Sequence, residues 1–407
     1  MNNLRNIRSH WLYVPVFYLL TFQNPLTVYI WHGFSYIDEL FALFGSAAFF
    51  CQYCRKPAKL IRRDTGMLLL SLSGFFLCGI AGNLRFGYQP FALVLKDLYA
   101  HLKFFLSLLS GIWLLRYVRP SREVMLRHCK ICILFLSALL AVDLLFDIFP
   151  QGGIRYGFGV RCLIFGHATY FAGTAVFLLS IVLLCYTKGE LPYLVLGLIL
   201  LISTFRGKAL AGAAVCVMVF RRICLQKKRP MLRHFLLAAA AGMLIAWRQI
   251  RYYYIDLAGR SARSQLLLTS VRILRDCFPF GTGFGTYGSD VAGSCYSPVY
   301  VRYGFLQHPE LQPGSAYLSD TFWPIILGQT GFLGTVLYIA ALGLLFFKAL
   351  QVRAVHRNAY AAVLFLLAYL LISSTSEPTF CNTVSIPPAM ILGFSVAAGN
   401  SERGRLL

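Results

Sequence analysis

Apolar runs close to the length of a bilayer span recur along the chain, separated by short polar joints. About 20 consecutive apolar residues are enough to cross the hydrocarbon core as a helix. The runs mix Leu, Ala, Ile and Phe and lack the alternation of a membrane β-strand, so helices are predicted. Twelve spans are read, at 11–31, 36–51, 65–82, 97–115, 131–149, 163–186, 191–205, 208–220, 232–247, 321–346, 359–374 and 383–398. The seventh and eighth are short and meet at the polar turn STFRGKAL. The predicted fold is an all-α polytopic membrane protein with about 12 transmembrane helices and one large external loop between the ninth and tenth. It divides into N-terminal helices (1–247), the loop (248–320) and C-terminal helices (321–407).

Composition agrees with that class. Of the 407 residues 58% are hydrophobic and 13% charged, with a mean hydropathy of +0.66; a soluble domain carries about a quarter charged residues. Nearly two thirds of the 38 basic residues fall in one alternating set of joints: the N-terminus, 52–64, 116–130, 187–190, 221–234, 347–358 and the C-terminus. By the positive-inside rule these are cytoplasmic, and both termini with them. Arg5 and Arg8 precede the first span without a small-residue cleavage site behind it, so that span is expected to stay as an anchor. The net charge of +23 then reflects this bias and contact with anionic membrane lipids. Short juxtamembrane basic blocks are a poor fit to nucleic acid.

Residues 283–288, GFGTYG, match the spacing of a dinucleotide-binding turn. The parity of the spans puts them outside the cytoplasm, where nucleotides are scarce. LRDCFPF precedes them where a strand is required, and no βαβ unit follows. The stretch therefore reads as a flexible or tightly turned loop, or as backbone that approaches a ligand closely. Among the twelve cysteines, Cys51 with Cys54 and Cys129 with Cys132 have C-x-x-C spacing but belong to separate joints, which makes zinc a weak reading. Cys277 and Cys295 lie outside, where a bridge between them would staple the glycine loop.

Chemistry on the outer side must come from 83–90, 150–162, 203–208, 248–320 and 373–384. Arg155 and Arg161 sit among glycines and aromatics. Arg206 and Lys208 occupy the sharp turn between two short spans, a costly place for charge unless it meets a partner or a wet cavity. Ser203, Thr204 and Gly207 suit a helix break whose free N–H groups join Arg206 in holding an anion. In the long loop Arg248 with Arg251, Arg260 with Arg263 and Arg272 with Arg275 form i, i+3 pairs. A helix over 261–276 is predicted, with Leu266, Leu267, Val271 and Leu274 as its apolar side. Its arginines suit lipid phosphates on a membrane surface or a bidentate grip on one diphosphate. The acids and bases on this side include Asp256, Asp276, Asp290, His308, Glu310, Asp320 and Glu377. Asp143 and Asp147 lie i, i+4 near the outer end of the fifth span. His167, near the start of the sixth, reads first as a packing residue.

Three stretches resemble one family. GRSARSQLLLTSVRILRDCFPFGTGFGTYGS (259–289) is similar to the G-R, helix, P-x-x-G-x-G-x-G segment of the bacterial O-antigen ligase and O-antigen polymerase superfamily. STFRGKALAG (203–212) resembles its S-x-x-R-G turn, and SDTFWPIILGQTGFLG (319–334) the start of the span after its large external loop. The resemblance covers roughly 150–345. It implies metal-independent, cofactor-free glycosyl transfer at the periplasmic face of the bacterial inner membrane. The donor is a glycan on undecaprenyl diphosphate, and the acceptor is a second lipid-linked glycan or the lipid A-core sugar. A flippase and a chain-length regulator are the implied partners. Such a site needs cations for the diphosphate and a base for the acceptor hydroxyl. The motif match makes Arg206 and Arg260 the first candidates for the leaving group, with Arg155, Arg161 and Arg263 behind them. The ligases carry His-Asn where this chain has Ser319-Asp320, so the base falls to Asp320 or to His308. That departure favours a polymerase over a ligase. A glycan-lipid transporter is the reading from another class, but no internal repeat joins the two halves.

Overall fold

The computed structural model describes residues 9–55, 63–228, 261–354 and 356–399, with isolated positions between 230 and 251. The expected ninth span (232–247) and Arg260 lie largely or wholly outside the described residues. Elsewhere each apolar run is helical. The helices are α1 Val14–Thr21, α2 Gln23–Tyr29, α3 Ile37–Arg55, α4 Arg63–Phe86, α5 Phe91–Tyr117, α6 Arg122–Phe146, α7 Ala168–Leu184, α8 Leu191–Ile202 and α9 Gly207–Val219. They continue as α10 Ala262–Asp276, α11 Asp290–Ser294, α12 Pro298–Arg302, α13 Trp323–Leu350, α14 Arg357–Ser374 and α15 Ile386–Gly399. Among the described residues six helical segments are long and apolar enough to cross a membrane: His32–Arg55, Gly66–Phe86, Phe91–Tyr117, Arg122–Phe146, Trp323–Arg353 and Arg357–Ser374. This is the architecture of an α-helical membrane protein. Outward-facing Phe44, Leu70 and Leu145, all more than two thirds exposed, suit a lipid surround and not water.

Two departures from the expected spans have local causes. The first run breaks at Phe22 because Pro25 lacks an N–H and its ring opposes the carbonyl four residues back. A two-residue hairpin, β1 Ile154–Arg155 with β2 Phe158–Gly159, adds the only strands among the described residues; Ile154 faces Gly159 and Arg155 faces Phe158. Tyr156 and Gly157 both take positive φ, the requirement of the tight turn that matches strand twist.

α5 is the hub, packed by α3 and α15, while α4 packs on α13 and α9 on α14. Gly111 and Gly393 set the α5–α15 distance. A Cβ on Gly111 would stand 2.3 Å from the Met390 carbonyl, and one on Gly393 2.3 Å from that of Leu108. Small residues let membrane helices approach this closely. α7 and α9 run parallel to each other, with α8 antiparallel between them in sequence. Arg206, just before α9, meets His167, just before α7, at 3.0 Å, whereas Phe220, just after α9, packs on Tyr186, just after α7, at 4.9 Å.

The joints sort themselves between the two ends of the bundle. At one end Asn83 and Gln89 donate to the carbonyls of Phe284 and Gly285, the Arg161 N–H donates to Ser203 and Lys208 pairs with Glu377. At the other, Arg122 donates to the Cys185 carbonyl, Lys130 pairs with Glu190 at 2.7 Å and Asn358 donates to Tyr186. Segments 83–90, 150–162, 203–208 and 373–384 thus meet the described part of 248–320 at one end, and the joints 116–130, 187–190 and 347–358 meet at the other.

The glycine loop is tightly turned and packs its backbone on the protein itself. Gly281, Gly283, Gly285 and Gly288 all have φ between 70° and 96°, and five backbone donors of the loop are bonded to the protein. Thr282 and Gly283 donate to the carbonyls of Gly328 and Gln329, while Leu333 donates to that of Pro279. Phe284, Gly285 and Gly288 donate to Asn83, Asp97 and Tyr300. The helix α13 is broken at Gly331 (φ 65°, ψ −161°), so two of its carbonyls lose their usual partners, and the loop supplies replacements. A Cβ on Gly281 would lie 2.5 Å from the Gly328 carbonyl oxygen. Gly281→Ala adds left-handed strain to that clash and should destabilise the protein by about 2–5 kcal/mol, read by thermal unfolding in detergent.

Two further expectations change. Helix α10 buries Leu266, Thr269, Ser270 and Ile273, while Leu267 and Val271 stay 40% and 49% exposed. Its inner face is narrower and more polar than predicted because it lies against α13. Cys277 is buried and Cys295 exposed, and they are not bonded to each other.

Candidate functional site

A cavity of about 720 Å³ opens where segments 150–162, 203–208 and 373–384 meet residues 263–320, and most of its lining is polar. Five cations line it, Lys103, Arg155, Arg206, Lys208 and Arg263, with the acids Asp290, Asp320 and Glu377. Three of the cations are matched. Lys103 contacts Asp38 at 2.5 Å. Lys208 contacts Glu377, with the two side chains 5% and 7% exposed. Arg263 holds Asp320 through Nε at 2.7 Å and a terminal nitrogen at 2.6 Å. Arg155 and Arg206 have no carboxylate partner among the described residues.

Arg206 owes its place to the α8–α9 turn. Ser203 and Thr204 donate their hydroxyls to the carbonyls of Leu200 and Leu201, which ends α8 at Ile202. Phe205 then takes φ 43° and lies flat against Phe158 at 4.9 Å, which seats the hairpin carrying Arg155 beside the turn. Arg206 is the N-cap of α9 and no side chain caps that end. Its guanidinium donates to Thr169 Oγ1 at 2.6 Å, and its Nε is buried without a partner. A helix N-terminus with free N–H groups beside an arginine is a ready anion site; here the unused Nε and the missing acid point to the same ligand class.

His167 lies against this arginine. A second positive charge beside that guanidinium is disfavoured, so the imidazole is neutral. Both ring nitrogens face donors, Nε2 towards Arg206 at 3.0 Å and Nδ1 towards the Thr169 N–H at 3.3 Å, and a neutral ring accepts at only one. The shorter contact with the charged donor is the stronger, which leaves the proton on Nδ1.

The two carboxylates differ. Burial pushes Glu377 up, but Lys208 and the Ser373 hydroxyl hold it below its ordinary value; both oxygens are in use. Asp320 is raised, because burial outweighs Arg263. Its hydrogen bonds all fall on Oδ2, and no described residue bonds Oδ1. An acid with a raised value and an open oxygen is the better proton acceptor. Glu377 is a structural partner instead. Glu377→Gln leaves Lys208 charged and unmatched, with an expected loss of about 3–5 kcal/mol; replacing both members by apolar residues should restore most of it in the same unfolding measurement.

The structure therefore brings Arg155, Arg206, Arg263 and Asp320 to one cavity. Arg161 is elsewhere: it is clamped by Asp143 at 2.9 Å and Asp147 at 2.7 Å and anchors the hairpin loop. His308 is not on the lining either; it lies between two short turns whose backbone it bonds. Arg272 and Arg275 are exposed on α10. Sequence reasoning passed over Thr169, His167 and the Lys208–Glu377 pair as site components. A lysine and a glutamate, each at a span boundary, were the available signal. No family model matches the chain, and no curated protein matches it.

Proposed function

We propose that the chain transfers a glycan from undecaprenyl diphosphate to a sugar hydroxyl, most simply polymerising repeat units, at the periplasmic face of a bacterial inner membrane. The observation that carries this is the pairing, in one cavity, of acid-free arginines with a carboxylate that has an open oxygen. In the reaction the acceptor oxygen attacks the anomeric carbon, and the bond from that carbon to the diphosphate oxygen breaks. Asp320 takes the acceptor proton through Oδ1. Arg206, the free N–H groups of α9 and Arg155 receive the charge that gathers on the departing diphosphate. Arg263 orients Asp320 and ties α10 to the Ser376 carbonyl at 3.4 Å. Neutral His167 accepts from Arg206 and fixes its direction without adding charge. The role assigned to Arg260 rests on the family resemblance alone.

Ligation to lipid A-core uses the same chemistry with another acceptor. Deletion of the gene, followed by size analysis of surface glycan, separates the two. A polymerase leaves attached glycan one repeat long. A ligase leaves none attached, while long glycan accumulates on the carrier lipid. Unchanged surface glycan would contradict both.

A further inference from the structure

Among the cavity's lining residues is one thiol, Cys381, that the transfer reaction does not use. Its Sγ lies 3.4 Å from His101 Nδ1, and His101 is 1% exposed. The imidazole is held from behind. Gln329 Oε1 is 3.0 Å from His101 Nε2, and the carboxylate of Asp97, also 1% exposed, is 3.7 Å away. The Gln329 amide has a fixed sense, because its nitrogen donates to the Tyr287 carbonyl at 3.0 Å and to Ser289 Oγ at 3.3 Å. Its oxygen must then face His101, so Nε2 carries the ring proton and Nδ1 presents a lone pair to the thiol. Phe75 and Phe284 enclose the ring at 5.8 and 5.4 Å. Lys103 and Lys208, which also line this cavity, are already paired with Asp38 and Glu377, and the buried Tyr338 is the phenol near the thiol. A thiol, an imidazole of the right tautomer and a carboxylate behind it form the arrangement that activates a nucleophile.

We propose that Cys381 is a base-activated nucleophile and the covalent modification site of this cavity, taking small, uncharged, soft electrophiles such as activated alkenes. Sγ bonds to one alkene carbon and its proton passes to His101 Nδ1. The electrons of the C=C bond move to the second carbon, which takes that proton back. The product is an addition thioether, with nothing lost and no oxidant required. Asp97 stabilises the imidazolium between the two transfers. The site does not depend on the glycan-transfer reading.

The test uses purified full-length protein in detergent and N-ethylmaleimide at pH 6, 7 and 8. Adducts are quantified residue by residue by peptide mass spectrometry, with N-acetylcysteine labelled in parallel. The free thiol's rate rises about tenfold per pH unit over this range, because only its thiolate reacts. The rate at Cys381 should change less than about threefold. In His101→Gln the rate at pH 6 should fall at least about tenfold and the slope of the free thiol should return. Should that variant not fold, the wild-type profile decides. A Cys381 rate that climbs in parallel with the free thiol, or no adduct at Cys381 while other cysteines label, overturns the proposal.

Discussion

Arg206→Ala is expected to lower glycan transfer about 10²–10³-fold, the loss typical of removing one preorganised donor from a developing anion, while membrane levels and the unfolding temperature stay near wild type. Arg206 has no acid partner among the described residues, so its removal strands no carboxylate. Its protein contacts are Thr169 Oγ1 and His167, both able to hydrogen-bond water in a polar cavity. Arg206→Lys should recover only part of the rate, since an ammonium keeps the charge but not the planar fork that grips phosphate oxygens. If Arg206→Ala transferred glycan at the wild-type rate, the anion site would lie elsewhere.

Asp320→Asn should lower the rate about 10²–10⁴-fold through loss of the general base. The amide keeps the shape of the side chain, so donor binding should change far less than turnover. The pH profile adds a signed test. Asp320 acts only when deprotonated, so activity falls as pH drops through its folded-state value. Burial holds that value above the ordinary one, so the acid limb lies higher than for an exposed aspartate. Arg263 pulls the value down; Arg263→Gln should therefore move the limb to higher pH. An acid limb unmoved in Arg263→Gln would take the base role from Asp320.

The helices were legible because apolar length alone marks a span. α4, expected at 65–82, is Arg63–Phe86, and α14, expected at 359–374, is Arg357–Ser374. α5 runs longer than expected, Phe91–Tyr117 against 97–115. Lys96 and Asp97 break its hydropathy, yet the glycine loop packs beside it and Gly285 bonds Asp97. The site's arginines stood out because charge in a short outer joint needs a reason. Their sorting did not. Arg155 and Arg161 are six residues apart, but only Arg161 meets acids, the pair Asp143 and Asp147 on α6. Lys208 with Glu377 and His101 with Cys381 depend on contacts between distant parts of the chain, which no local pattern encodes. The phase of α10 was missed for a related reason. Its buried face holds Thr269 and Ser270, which a hydrophobic pattern assigns to the outside.

The most direct test of the central claim is transfer by the purified chain. The full-length protein in detergent is mixed with an undecaprenyl-diphosphate-linked oligosaccharide, and the lipid and glycan products are weighed by mass spectrometry. The account predicts lengthened lipid-linked glycan with one undecaprenyl diphosphate released per addition, both lost in Asp320→Asn. Donor returned unchanged, with acceptor present and the protein folded, would contradict it.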